Sequence, residues 1–196
     1  LGESESAAYS FPVERKDFLF VITPFGVDGR TANGGGKVHK GLDIRCDGDA
    51  VLATENGGKV VSVKGSGGGQ SVTVEYSRKD GSKVQCTYRH LGDIAVKAGD
   101  SVKAGQRLGT SGNTGTRTTG EHLHFGVVNI HSDGTRRDID PAAYLAEIAQ
   151  KGNIKQQVLY NGNDLLAKYR STEEPKIEKP LSTEDWMKKL LSSEDS

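Results

Sequence analysis

Four of the five histidines in this chain fall in three short motifs. These are Val38-His39-Lys40-Gly41-Leu42-Asp43, Thr87-Tyr88-Arg89-His90-Leu91 and Glu121-His122-Leu123-His124-Phe125. Imidazole nitrogens and a carboxylate oxygen are the donors that zinc takes at about 2.0–2.2 Å, with one coordination position left open for water in a catalytic site. The first expectation is therefore that the fold gathers the three motifs around a single zinc ion.

Spacing constrains how they can meet. His39 and Asp43 are four residues apart, and the glycines Gly34 to Gly36 and Gly41 argue against a helix there. In a straight strand the two would share a face yet lie about 13 Å apart, too far for one ion. The chain must bend at Lys40-Gly41, where glycine permits it. His122 and His124 sit two apart in an apolar, strand-like run, so alternation puts both imidazoles on one face, about 7 Å apart along the backbone. One can bind a metal while the other stands beside the open position; Leu123 and Phe125 then point into the core. The same alternation aims Glu121 away from the His122 face. His131, in a polar hairpin-like stretch, reads as solvated, and Tyr88 and Arg89 either line a cleft or serve packing and solvation.

The elements that must carry these motifs are mostly strands. Phe18 to Ile22 reads as a short buried strand ended by Thr23-Pro24-Phe25-Gly26. From Ile44 to about Phe125, β-branched runs (Lys59 to Val63, Ser71 to Tyr76, Lys83 to Tyr88) alternate with glycine turns. Asp80-Gly81 between two alternating runs is a hairpin signal. With 26 glycines, most inside this block, an antiparallel β core is expected. Helix signals come later: Asp140-Pro141 as N-cap and first turn, Ala142 to Gln150 as body, Gly152 as stop. Ser182 to Leu191 resembles a short amphipathic helix, with Trp186, Met187, Leu190 and Leu191 on one side. The organisation expected is a flexible lead-in over 1–17, a main domain over 18–150, an irregular extension over 151–181 and the short helix over 182–196. That last helix packs on its parent domain or docks a protein partner.

Taken in order, the motifs resemble the lysostaphin/LytM-type zinc endopeptidases that cut peptidoglycan. The carrying residues are His39-x-x-x-Asp43, Tyr88-x-His90-Leu91 and His122-Leu123-His124-Phe125, with Val96 to Gly109 and Ser111 to Gly115 between them. The likeness runs from Thr23-Pro24-Phe25-Gly26 to Asp140 through Leu145. It implies a mainly β, antiparallel sheet or sandwich core with short C-terminal helices. It also implies His39, Asp43 and His124 as ligands of one zinc ion, with His90 and His122 as the unliganded pair that activates water and steadies the oxyanion. Where the family often has an acidic residue after His-Leu-His-Phe, this chain has Gly126.

The implied function is zinc-dependent hydrolysis of peptide cross-links or stem peptides of bacterial peptidoglycan, in the periplasm or outside the cell. Two other classes compete. A non-catalytic LytM-type module would bind wall or activate a partner hydrolase, but such modules have usually lost metal ligands and this chain keeps them. A biotinyl or lipoyl carrier shares the Val96 to Leu108 pattern but needs a lysine at a tight hairpin tip, which is absent.

Composition bounds the rest. The chain has 196 residues, with 26 basic and 26 acidic, so no net charge draws it to nucleic acid, and no basic-aromatic interleaving suggests a nucleic-acid groove. No apolar run approaches the roughly twenty residues that span a bilayer. Cys46 and Cys86 leave open one disulfide or two buried thiols. An opening at Leu1 rather than methionine is the form expected of a trimmed product, from which a signal peptide would leave no trace.

Overall fold

A computed structural model describes residues 8–14, 17–26, 39–66, 69–112 and 122–169. The expected Ser182 to Leu191 helix, Glu121 and the loop before His39 lie outside the described residues. Among the described residues, twelve strands and one long helix follow in order. The strands are β1 (Phe18–Thr23), β2 (Leu42–Arg45), β3 (Ala50–Leu52), β4 (Gly58–Ser66), β5 (Gly69–Ser77), β6 (Lys83–Ile94), β7 (Ser101–Val102), β8 (Arg107–Ser111), β9 (His122–Ile130) and β10 (Arg136–Ile139). Helix α1 (Pro141–Gly152) precedes β11 (Gln157–Tyr160) and β12 (Asn163–Asp164). The chain is mainly β, and the strands read from alternating sequence are there with longer ends.

The sheet runs β12-β11-β1-β2-β9-β6-β5-β4-β7, with β10 extending β9 and with β3 and β8 attached through β6. Apart from β1–β11, which is parallel, the described pairings are antiparallel. Period-2 alternation sorts the two faces. Leu42 and Ile44, Val72 and Val74, Cys86 and Tyr88, and Leu123, Phe125 and Val127 point to one side and are buried. Their neighbours in sequence form the opposite, partly open face. That open face carries the histidine motifs.

The helix covers the closed side. Asp140 caps it by accepting from the Ala142 amide at 2.9 Å, and Tyr144, Leu145, Ile148 and Ala149 face the core. Gly152 is not the stop read from the sequence. It is the last helical residue, and Asn153 takes the left-handed position (φ 54°) beyond it. Glycine at 152 answers a different need: a Cβ there would lie 2.8 Å from Tyr9 Cβ.

That contact shows what residues 8–14 do. Expected as loose lead-in, they run along residues 50–54, with Ser10 donating to Thr54 O, Leu52 to Pro12 O and Glu14 to Ala50 O. Phe11 and Val13 are 1% exposed. Two apolar residues in a polar run were too short a pattern to read as structure. Residues 157–164, expected as irregular extension, likewise add β11 and β12 beside β1. Cys46 and Cys86 are buried thiols with no disulfide between them, and burial pushes the Cys86 thiol up to about 12. Beneath the core, Arg78 grips Glu55 with two hydrogen bonds of 2.7 and 2.9 Å, and the Tyr144 hydroxyl donates to the same carboxylate. Helix and sheet are thereby joined through a buried charge whose lone pairs are filled, the condition under which such a pair is tolerated.

Candidate metal centre

Three of the five residues singled out from the sequence converge tightly. Ligand-type atoms of His39, Asp43 and His124 all lie within 4.8 Å of one another. Register does most of the work: β2 and β9 pair antiparallel with Asp43 opposite His124 and Arg45 opposite His122. Directly opposed residues on neighbouring strands share a face. His39 joins from before β2, where the chain bends at Gly41 as the spacing required.

The reason for glycine at that bend is close approach rather than a left-handed φ. A Cβ on residue 41 would stand 2.7 Å from His124 Nε2 and 2.8 Å from the Phe125 carbonyl oxygen. Real side chains do not come so near, so Gly41 is the space into which the His124 ring fits. Behind it, Phe125 packs on Tyr88 and Tyr144 at ring separations of 5.3 and 6.4 Å, fixing the strand from the core side.

The donor set fits a cation. His39 Nδ1 lies 3.0 Å from the Pro24 carbonyl oxygen, which only accepts, so Nδ1 carries the proton and Nε2 presents a lone pair. That buried Nε2 makes no hydrogen bond, yet it faces Asp43 Oδ2 at 3.3 Å. Two lone-pair atoms held face to face away from water are costly unless something positive lies between them. His124 Nδ1 is 2.9 Å from Asp43 Oδ1. Burial works against ionising Asp43, but the hydrogen bond of His124 and the imidazoles around it outweigh that and hold the carboxyl well below the usual range. Burial likewise lowers His124, against the pull of Asp43, which favours the neutral ring a metal needs.

His90 and His122 stand beside this trio. Their rings are 4.9 Å apart, His90 is 6.3 Å from the His124 ring, and His122 Nε2 is 3.8 Å from Asp43 Oδ1. His122 arrives by alternation. His90 does not. Val84, Cys86 and Tyr88 all face the core, so an unbroken strand would bury residue 90 as well. Instead Ser71 pairs with Arg89 and Gln70 with Leu91, leaving His90 as the extra residue of a bulge with φ 66°. Leu91 takes the inward place, fully buried, and the imidazole turns out onto the metal face. A histidine in the left-handed region costs on the order of 1–2 kcal/mol.

Other residues fall elsewhere. Tyr88 is core: fully buried, it donates to the Leu52 carbonyl at 2.9 Å. His131 is exposed in the β9–β10 hairpin. Two features escaped the sequence reading. One is the Pro24 carbonyl that orients His39, although Thr23-Pro24-Phe25-Gly26 had stood out as a run. The other is the bulge, for which a histidine after Tyr-Arg carries no local signal.

Comparison with known proteins shows the family. Glycyl-glycine endopeptidase ALE-1 of Staphylococcus capitis is 34% identical over 149 residues, covering 76% of this chain and 38% of that one. Peptidoglycan DD-endopeptidase ShyA of Vibrio cholerae is 36% identical over 91 residues, covering 46% and 20%. This chain thus spans well under two thirds of either relative. In the crystal structure of the catalytic domain of lysostaphin from Staphylococcus simulans, the match covers 72% of this chain and 96% of that one, with 31% identity and a TM-score of 0.51. The model for peptidase family M23 matches residues 37–141, more than half the chain and every histidine motif, and the chain belongs to that family of metallopeptidases.

Proposed function

We propose that this chain is a zinc-dependent endopeptidase that hydrolyses peptide cross-links or stem peptides of bacterial peptidoglycan, acting in the periplasm or outside the cell. The observation that carries the proposal is the orphaned His39 Nε2 facing Asp43, with His124 completing the set and His90 and His122 beside it. His39, Asp43 and His124 hold the ion, and His90 and His122 do the proton work. Names of relatives supply the substrate class, since ShyA is a peptidoglycan DD-endopeptidase and ALE-1 a glycyl-glycine endopeptidase. No helix among the described residues is long and apolar enough to cross a membrane.

Bound zinc would supply Lewis acidity, polarising a scissile carbonyl and lowering the pKa of water. The remaining work belongs to the chain. Asp43 and the imidazoles of His39 and His124 would hold the ion through carboxylate oxygen and neutral ring nitrogen. Of the paired imidazoles on the open face, a neutral one takes the proton of the attacking water. A protonated one donates to the oxyanion or to the departing amine. Their ring separation lets them share these roles across one bound peptide.

Purified protein loaded with zinc should release muropeptides from sacculi, stop when a chelator is added and resume when zinc is restored. His124→Ala should lose both metal and turnover. A wild-type protein that binds zinc stoichiometrically but leaves every sacculus intact would instead favour the non-catalytic wall-binding or hydrolase-activating module.

A further inference from the structure

The face that carries the metal cluster also carries a charge that the reaction as described does not use. Cross-strand register lays Lys64, Ser71, Arg89, His124 and Asp43 in one row over β4, β5, β6, β9 and β2. Opposed residues share a face, so Arg89 stands on the same side as the His124 ring, one strand away. Cα atoms so paired are about 4.5–5.5 Å apart. Arg89 is exposed and forms no ion pair with a described residue. Lys64, also exposed, extends the positive end of the row.

The carboxylates of this face are taken or distant. Glu75 accepts from Gln85 and lies 3.8 Å from Lys83, and Asp138 pairs with Lys40 at 3.6 Å. Glu75 and Gln85 stand two same-face steps from Arg89, about 14 Å along the strands. Between them the floor is low. Gly126, opposite Thr87, has no side chain, and a Cβ there would meet its nearest atoms only at 3.6 and 4.0 Å. Arg45 flanks His122 on the other side, but it already has a partner. Among the described residues, a peptide crossing the cluster therefore meets a low floor with the Arg89 guanidinium at its edge. An extended chain advances about 3.3–3.6 Å per residue. The guanidinium is then within reach of a group one or two residues from the bond above the metal cluster.

We propose that Arg89 is a specificity-determining residue that receives a free carboxylate of the substrate peptide, so that the cleft favours stem-peptide cross-links bearing such a group, for example diaminopimelate, over uncharged polyglycine bridges. This rests on the endopeptidase reading above. A guanidinium offers a carboxylate two parallel N–H donors, a match that neither a carboxamide nor a peptide carbonyl reproduces.

The test uses the full chain and two cross-linked peptides that differ only in carrying the diaminopimelate carboxylate free or as the carboxamide, with pentaglycine as a third. Zinc-loaded wild type should prefer the free acid in kcat/KM by about tenfold, the size of one charge-assisted hydrogen bond, and the difference should lie in KM. Arg89→Ala should treat acid and amide alike, and Arg89→Lys should keep part of the preference. Binding of the same pair to zinc-free protein is read in parallel by calorimetry. A binding preference for the acid with no turnover of any peptide would sink the endopeptidase reading and leave Arg89 in place. Equal binding and equal turnover of acid and amide by wild type, or a preference that survives Arg89→Ala, would overturn the assignment.

Discussion

His90 offers the sharpest test of how this fold builds its site. Its φ of 66° places a β-carbon where only glycine sits without penalty, and the bulge that requires this angle is what turns the imidazole outward. Replacing His90 by glycine and by alanine removes the same ring but treats the backbone differently. The left-handed cost, roughly 1–2 kcal/mol for a residue with a β-carbon, persists in the alanine variant and vanishes in the glycine one. Glycine gives back part of that through a more flexible unfolded chain, about 0.5–1 kcal/mol. The expected net is that His90→Gly is more stable than His90→Ala by about 0.5–1 kcal/mol, or about 1–4 °C in Tm for a domain of this size. His90→Asn should fall between them, since asparagine tolerates this region. Urea or thermal unfolding of zinc-free protein reads the order. Sacculus digestion should be lost alike in all three. An alanine variant as stable as the glycine one would refute the reasoning, because the strand would then have relaxed out of its bulge and the ring would owe its position to something else.

Two further outcomes follow from the same geometry. Gly41→Ala puts a β-carbon 2.7 Å from His124 Nε2, so the ring must move; zinc affinity, read by competition with a chromophoric chelator, should fall about 10–100-fold, and an unchanged affinity would refute the close-approach account. Zinc-free protein should lose stability on acidification in two stages. His124 and Asp43 both have depressed folded pKa values, so the unfolded chain binds more protons than the folded one below 6.5 for His124 and below 3.8 for Asp43. Stability present at neutral pH then declines as pH drops through the first value and again through the second. A Tm that rises on acidification across the first window would contradict the burial of His124.

How much of this could be read beforehand depended on whether the signal was local. Alternation in Ser71 to Tyr76 and Lys83 to Tyr88 gave the strands, and it placed His122 and His124 on one face, because a period of two is written in consecutive residues. The bend at Lys40-Gly41 was legible from distance alone: no straight strand lets His39 and Asp43 share an ion. Its cause was not, since the clash that excludes a side chain at 41 comes from His124, more than eighty residues away. The outward turn of His90 depends on a register shift between β5 and β6, and register is a property of two strands rather than one. Phe11 and Val13 looked like lead-in because their partners, residues 50–54, are remote, and Gly152 looked like a helix stop because nothing nearby in sequence announces Tyr9.

The pairing of β2 with β9 has a consequence for how the protein comes into being. The chain lays down His39 and Asp43 early and then makes an excursion of nearly eighty residues before the strand that supplies His124 exists. A ribosome adds roughly 5–20 residues each second, so the two donors wait several seconds without their third. Closing so long a loop carries an entropic penalty that the contacts along β9 must offset at a stroke. With the ligand set proposed above, a nascent chain has no complete cage for an ion, and metal capture would mark the end of folding rather than its beginning.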